Sequence, residues 1–336
     1  MRKWAQHTSF NALRSFESAV KSTTKNSRNA LSALTLALTL FFAPLGAHSQ
    51  QDPHHTQYMF NGLSLNPAYA GSRGTISGML FYRNQWTGFA GAPVTQSFSF
   101  HMPTAKKRAG FGFNVMNDKI GYTSQQWLTG SYAFIIPVKD NASLALGLRG
   151  GMMNYRINWN EVTATDLNDP IVAGNVRSVL MPNVGTGLYF STPRMYAGLS
   201  VPHILNTPLR RSDTGSDAVA RLYRHAYFTA GYVFGLQNQV QWKPSILLKY
   251  SPGAPLEVDV NLMALIARRF WIGASWRSGD AVGAMIDFQI ARHLRFGYAF
   301  DYSITELRKF HNGSHELLLG FEIFPKRALT KSPRYF

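Results

Sequence analysis

The chain has no cysteine, which excludes disulfide bridges and thiolate metal centres. It is poor in charge: Asp, Glu, Lys and Arg make up 15% of its 336 residues, against roughly 25% in ordinary soluble domains. Acids are the scarcer sign, 17 against 34 Lys and Arg, for a formal net charge of +17. Beyond residue 49 no stretch approaches the ~18 uncharged apolar residues of a membrane-crossing helix. A mature chain that enters a membrane must then cross it as a closed barrel, because hydrocarbon offers no hydrogen-bond partner to an open sheet.

The motifs of common chemistry are missing too. There is no G-x-S-x-G and no P-loop. His315-Glu316 has no second histidine at the spacing of a zinc helix. His54 and His55 are adjacent on an extended segment, so they point apart. Asp166-Leu-Asn-Asp169 lacks the Gly and terminal Glu of a calcium loop. The reading is a non-enzyme with no cofactor and no metal. No nucleic-acid module signature accompanies the basic excess, so anionic lipid or an acidic protein is the expected partner, and not nucleic acid.

What is present begins with a targeting pattern. Six Lys/Arg and one acid precede residue 50, leaving +12 of the +17 for the remainder. After Arg28 comes the apolar run Ala30–Ala43, then Pro44 and Gly46, then the small residues Ala47-His-Ser49. This is the order of a secretory signal peptide, assigned to residues 1–49. Residues 50–72 are polar and turn-rich and are expected to lie periplasmic or to fold into a barrel mouth. Residues 325–336 form a basic tail headed by Pro325, a poor continuation for a strand.

Between them, 73–324, apolar residues recur with period two. Phe111, Phe113 and Val115 oppose Gly110, Gly112 and Asn114. Leu256, Val258, Val260 and Leu262 oppose Glu257, Asp259 and Asn261. Strands are expected near 74–86, 93–102, 109–118, 124–137, 142–155, 182–191, 194–202, 224–236, 240–250, 257–265, 268–277, 281–290, 294–303 and 313–324. That makes about fourteen, an even number, with long connections 156–181, 203–223 and 304–312 after odd strands and tight turns after even ones. The pattern predicts an all-β, transmembrane, antiparallel up-and-down β-barrel in a bacterial outer membrane, with its short turns periplasmic. Tyr82, Trp86, Trp127, Tyr189, Trp242, Tyr250, Trp271, Trp276 and Tyr302 are expected in interfacial girdles. Arg149, Lys249, Asp259, Asp287, Arg295 and Asp301 fall on the polar inner face, where opposite charges are expected to pair.

Specific residues add a family resemblance. Gln57-Tyr-Met-Phe-Asn61 and Leu65-Asn66-Pro67-Ala-Tyr-Ala-Gly71 open the series. Arg83-Asn84-Gln85-Trp86, Gly91-Ala-Pro93, Thr95-Gln-Ser-Phe98 and Asn117-Asp118-Lys-Ile-Gly121 continue it. Asp169-Pro170, Pro182-Asn-Val-Gly185, Gly198–Pro202, Lys243-Pro-Ser245, Gly253-Ala-Pro255 and Gly313-Ser-His-Glu316 complete it, in order, across most of 50–324. In these the chain resembles the PorP/SprF family of type IX secretion system membrane proteins. The resemblance implies an outer-membrane barrel that works with other type IX components to secrete, or hold at the surface, a large adhesin-like partner, with gliding motility among the uses. It carries no catalytic residues. Arg210, Arg211, Arg221 and Arg224 make the connection 203–223 basic and are the candidate partner-binding residues. An alternative role is an outer-membrane channel for small, anionic solutes.

The apolar outer face generates one prediction. The mature protein is expected to need detergent or lipid, and size-exclusion chromatography in plain buffer should show aggregation; a monodisperse species there would refute the membrane barrel.

Overall fold

The computed structural model describes residues 53–138, 141–158, 177–205, 208–209, 220–221, 224–236 and 238–323. Among these, fourteen antiparallel strands close into one barrel. They are β1 (Ile76–Asn84), β2 (Val94–Pro103), β3 (Ala109–Ile120), β4 (Thr123–Pro137), β5 (Ser143–Ile157), β6 (Arg177–Ser191) and β7 (Met195–Val201). There follow β8 (Ala226–Tyr232), β9 (Val240–Tyr250), β10 (Glu257–Ile266), β11 (Phe270–Arg277), β12 (Ala281–Ala291), β13 (Leu294–Ser303) and β14 (Ser314–Ile323). Each pairs with its neighbours in sequence, and β1 closes the ring on β14 from Ile76↔Ile323 to Asn84↔His315. The all-β up-and-down barrel expected from the period-two pattern is the fold observed.

Parity explains which side chain goes where. Successive residues of a strand point to opposite faces. In β4, Leu128 is 52% exposed, while Trp127 and Thr129 on either side are 3% exposed. Leu146, Leu148 and Met152 face outward from β5, and Leu262, Ile272 and Ile286 from later strands. So continuous an apolar exterior is untenable in water and suits hydrocarbon.

Two prolines inside strands are tolerated for a shared reason. Pro182 in β6 is paired to Met152 of β5, but β7 reaches only from Ser191 to Thr186 along β6. Pro244 in β9 is paired to Leu262 of β10, beyond the last β8 partner at Ser245. Pro182 lies beyond the end of one ladder, and Pro244 lies in the gap between Ser245 and the separate Phe234↔Trp242 bridge, so neither missing N–H breaks a ladder hydrogen bond. The sequence expectation started the sixth strand at Pro182. The strand begins at Arg177, and the connection from β5 shortens to 158–176, because β5 and β6 stay paired out to Ile157↔Arg177.

The connection lengths also need correction. Turns after even strands are short, as expected. Those after odd strands are mixed: 121–122 and 278–280 are tight, while 158–176 and 202–225 are long. Within 202–225, Pro208-Leu209 pairs with Ala220-Arg221. The aromatic girdles are partly corrected as well. Tyr82, Trp242, Tyr250, Trp276 and Tyr302 face outward, but Trp127, Tyr189 and Trp271 are buried in the lumen. Proximity to a strand end does not decide the face; parity does. Trp86 is half-buried in the β1–β2 connection.

A charge on the outer face should therefore be costly in proportion to its depth. Leu148→Arg, near the middle of β5, is expected to destabilise the barrel by about 2–4 kcal/mol and Tyr302→Arg, at a strand end, by less than about 1 kcal/mol. Urea titration of folding into lipid vesicles measures both; equal costs would contradict the assigned membrane depth.

Candidate functional site in the barrel lumen

The lumen is filled by the chain's own N-terminal segment. Residues 53–75 enter beside the strand ends that carry the long connections, cross the interior, and join β1 at the short-turn end. The segment contains three single turns: a 3-10 turn Tyr58–Phe60, a helical turn Gly62–Leu65 and a 3-10 turn Pro67–Tyr69. Asn66 caps the third, its Oδ1 accepting from Ala68 N–H at 2.9 Å, and Pro67 starts it, where the absent N–H costs nothing.

Near the long-connection end the segment is held by a buried ionic cluster. Arg83 of β1 spans two carboxylates: its Nη2 is 2.7 Å from Asp301 Oδ2 of β13, and its Nη1 is 3.1 Å from Glu316 Oε2 of β14. The segment completes the cluster. Thr56 and Gln57 donate their backbone N–H groups to Glu316 Oε2 and Oε1, both at 2.9 Å. The Thr56 hydroxyl accepts from Arg83 Nη1 at 2.7 Å and donates to Asp301 Oδ2 at 2.5 Å. Glu316 is 0% and Arg83 2% exposed. Charges so deeply buried are tolerable only when paired and hydrogen-bonded, and here the plug supplies part of that satisfaction. His55 Nε2 lies 2.9 Å from Ser97 Oγ, and His54 Nε2 lies 2.8 Å from Asp259 Oδ2. The two adjacent rings thus serve opposite sides of the wall.

Farther in, the wall answers the plug's unpaired carbonyls. A helical turn of four residues leaves its C-terminal carbonyls without partners, and Arg149 of β5 donates to those of Leu63 and Ser64. Ser200 donates to Leu65 O at 2.8 Å, and Asn66 Nδ2 to Leu188 O at 2.8 Å. Phe60 stacks edge-on against Trp271 and carries the Arg295 guanidinium 4.3 Å from its ring centre. Arg295 also pairs with Asp287 at 2.7 Å. Wall glycines make the close approach possible: a Cβ on Gly147 would lie 2.0 Å from Ala68 N, and one on Gly110 2.1 Å from Ala70 O. Two small cavities of about 50 and 20 Å³ border Tyr58, and a larger one of about 280 Å³ lies toward the short-turn end between Gly71, Lys107, Ala145 and Tyr189.

The expected inward charges lie inward: Lys249 pairs with Glu257, Asp259 with Arg277, Asp287 with Arg295 and Asp301 with Arg83, while Arg149 meets the plug's carbonyls. The family-motif residues separate into two groups. Asn66, Pro67 and Gly71 belong to the plug; Gly71, at φ +72°, donates its N–H to His101 Nδ1 at 3.3 Å. Asn84, Gln85, Trp86, Asn117, Asp118 and Gly121 sit at the long-connection rim. There Asp118 accepts from Thr95 Oγ1 at 2.6 Å, Trp86 N–H donates to Ser314 Oγ at 3.1 Å, and Gly121 N–H donates to Gly91 O at 2.9 Å. Arg83, Glu316, Asp301 and Thr56 were missed as one site. Their signal was a set of opposite charges on inward positions of three different strands. Of the basic loop residues, Arg224 is exposed beside β8, Arg221 is described only through its backbone pairing with Pro208, and Arg210 and Arg211 lie outside the described residues. The expected signal peptide, the Asp166–Asp169 segment and the basic tail also lie outside them.

A family model described as type IX secretion system membrane protein PorP/SprF matches residues 47–321. A comparison with curated proteins finds no match. Among solved structures, the chain is similar to the Ralstonia pickettii toluene transporter TbuX, with 10% identity, a TM-score of 0.48, and coverage of 80% of this chain and 93% of that one. A Pseudomonas aeruginosa FadL homologue shows 13% identity, a TM-score of 0.43, and coverage of 84% and 98%. The Acinetobacter baumannii outer membrane protein Omp33 shows 9% identity, a TM-score of 0.42, and coverage of 74% and 96%.

The plug contacts generate a paired prediction. Arg83→Met leaves Asp301 and Glu316 without their cation and is expected to cost about 3–5 kcal/mol. Gly147→Leu should expel the plug while leaving the outer wall intact. In folded, vesicle-inserted protein, both variants should expose residues 53–72 to limited proteolysis; continued protection in Gly147→Leu would show that the plug is not held by this fit.

Proposed function

On the premise that the chain belongs to the PorP/SprF family of type IX secretion system membrane proteins, we propose that this outer-membrane barrel holds a large exported protein at the cell surface through its long connections. The family and fold are those of a secretion-system membrane barrel, a non-enzymatic kind of protein. Association with other type IX components follows from the family; the surface partner is this proposal's own content.

The observation that carries the reading is the filled lumen. A barrel plugged by its own chain, with a buried ionic cluster closing around the plug, suits a rigid support better than an open diffusion channel. Recognition then falls to the rim. The connections 158–176 and 202–225 emerge at one end, and loops this long are usually functional. Arg210, Arg211, Arg221 and Arg224 make the second connection basic, which suits an acidic surface on an adhesin-like partner. Support of gliding motility belongs to the same reading, since a surface-held adhesin is what a gliding cell grips with. The same plug argues against the alternative of a channel for small anionic solutes.

Replacing residues 205–222 by a short linker is expected to release the partner from the surface while the barrel still inserts. Surface retention scored on intact cells, with heat-modifiable gel mobility as the insertion control, tests this. Full retention would reject the proposal.

A further inference from the structure

The short-turn rim of the barrel carries a set of exposed bases that neither the plug nor the long connections explain. At the short-turn end, the turn after β2 carries Lys106, Lys107 and Arg108. The turn after β6 carries Arg194, the turn after β10 carries Arg268 and Arg269, and the turn after β12 carries Arg292. All seven are exposed. Exposed acids do not offset them. Among the described residues the single exposed carboxylate is Glu306, which lies at the opposite rim beside Lys309. Glu322, near the short-turn end, is buried against Arg73.

The local backbone argues that these charges are held on purpose. Arg269 N–H donates to Ile266 O at 3.1 Å, closing a turn whose central residues, Ala267 and Arg268, have φ +49° and +56°. Both central residues at positive φ define the hairpin turn that Asn-Gly satisfies with least strain. The chain places Ala-Arg there instead. Lys107, at φ +54°, repeats the choice in the turn after β2. Long side chains are seldom found in this conformation, so the turns carry basic groups at conformational expense.

Depth and distribution identify what the ring meets. The turns are short, so their side chains stay close to the membrane surface. Phe270, next to Arg269, and Trp242, near the start of β9, face outward with 58% and 48% exposure. Outward aromatics of this kind mark the headgroup level, and a strand rises only about 3.3 Å per residue. The bases are also spread over four turns around the whole circumference, whereas a docked protein would need one sector. We propose that this ring binds the phosphates of acidic phospholipids in the leaflet at the short-turn end. In an outer-membrane barrel that leaflet faces the periplasm. Basic side chains near such a surface gain electrostatic free energy, lost as salt screens it.

The test compares full-length mature protein, folded into phosphatidylcholine vesicles with or without phosphatidylglycerol, with two variants. One is Lys106→Gln/Lys107→Gln/Arg108→Gln/Arg268→Gln/Arg269→Gln/Arg292→Gln. The other, Ala267→Asn/Arg268→Gly, installs the low-strain turn and is expected to fold at least as well as the parent. Native mass spectrometry after mild extraction should show phosphatidylglycerol retained by the parent over phosphatidylcholine. That preference should fall by roughly fivefold or more in the six-site variant, fall part of the way in the turn variant, and fade at high salt. Arg308→Gln/Lys309→Gln at the other rim should leave it unchanged. Equal retention by the parent and the well-folded turn variant, together with no response to salt, would overturn the proposal and point the ring toward an acidic periplasmic protein.

Discussion

Hydrocarbon cannot accept or donate a hydrogen bond, and the molecule is organised by that constraint. Every strand N–H and C=O facing lipid must find its partner within the sheet, so the sheet runs from β1 to β14 and closes on itself. Closure solves the edges and creates a new difficulty inside. Inward residues are polar and charged, and the segment that crosses the lumen takes the place of the water they would otherwise meet. The plug resolves this by offering backbone groups to side chains that need them. Arg149 meets helix-end carbonyls, Glu316 meets two amides, and Asn66 meets strand carbonyls. Polar wall and polar plug are two halves of one hydrogen-bonded network.

The wall was largely legible in the sequence and the plug was not, for a physical reason. A strand in a barrel repeats a two-residue rule, so Leu128 beside Trp127, or Val260 beside Asp259, announces its face locally. Position along the strand is a poorer guide than parity: Trp127, Tyr189 and Trp271 lie near strand ends yet face the lumen, and Pro182 lies inside β6 and does not begin it. Residues 53–75 obey no period. Their turns are too short to show a helical stripe, and what fixes them is scattered along the chain, from Arg83 of β1 to Asp301 and Glu316 of β13 and β14. The trace they leave in the sequence is indirect. Inward glycines such as Gly110 and Gly147 are vacancies cut for something to occupy, and inward charges such as Arg83 and Glu316 must be answered by something.

The two rims divide the remaining chemistry between them. The long-connection rim holds most of the motif residues outside the plug, where Gly91 meets Gly121 and Trp86 meets Ser314, and it frames the connections available to a surface partner. The short-turn rim is sparse, tight and basic. On the proposed function, the long connections carry the load of a surface partner and the charge ring gives the barrel purchase on the opposite leaflet.

The route of the N-terminal segment has a consequence for how the molecule comes into being. Thr56 and Gln57 lie near the start of the described residues, whereas two of the groups that secure them, Asp301 and Glu316, lie near the end. A chain lacking the last two strands has neither a closed wall nor a secured stopper, so closure of the seam and sealing of the lumen depend on the same residues.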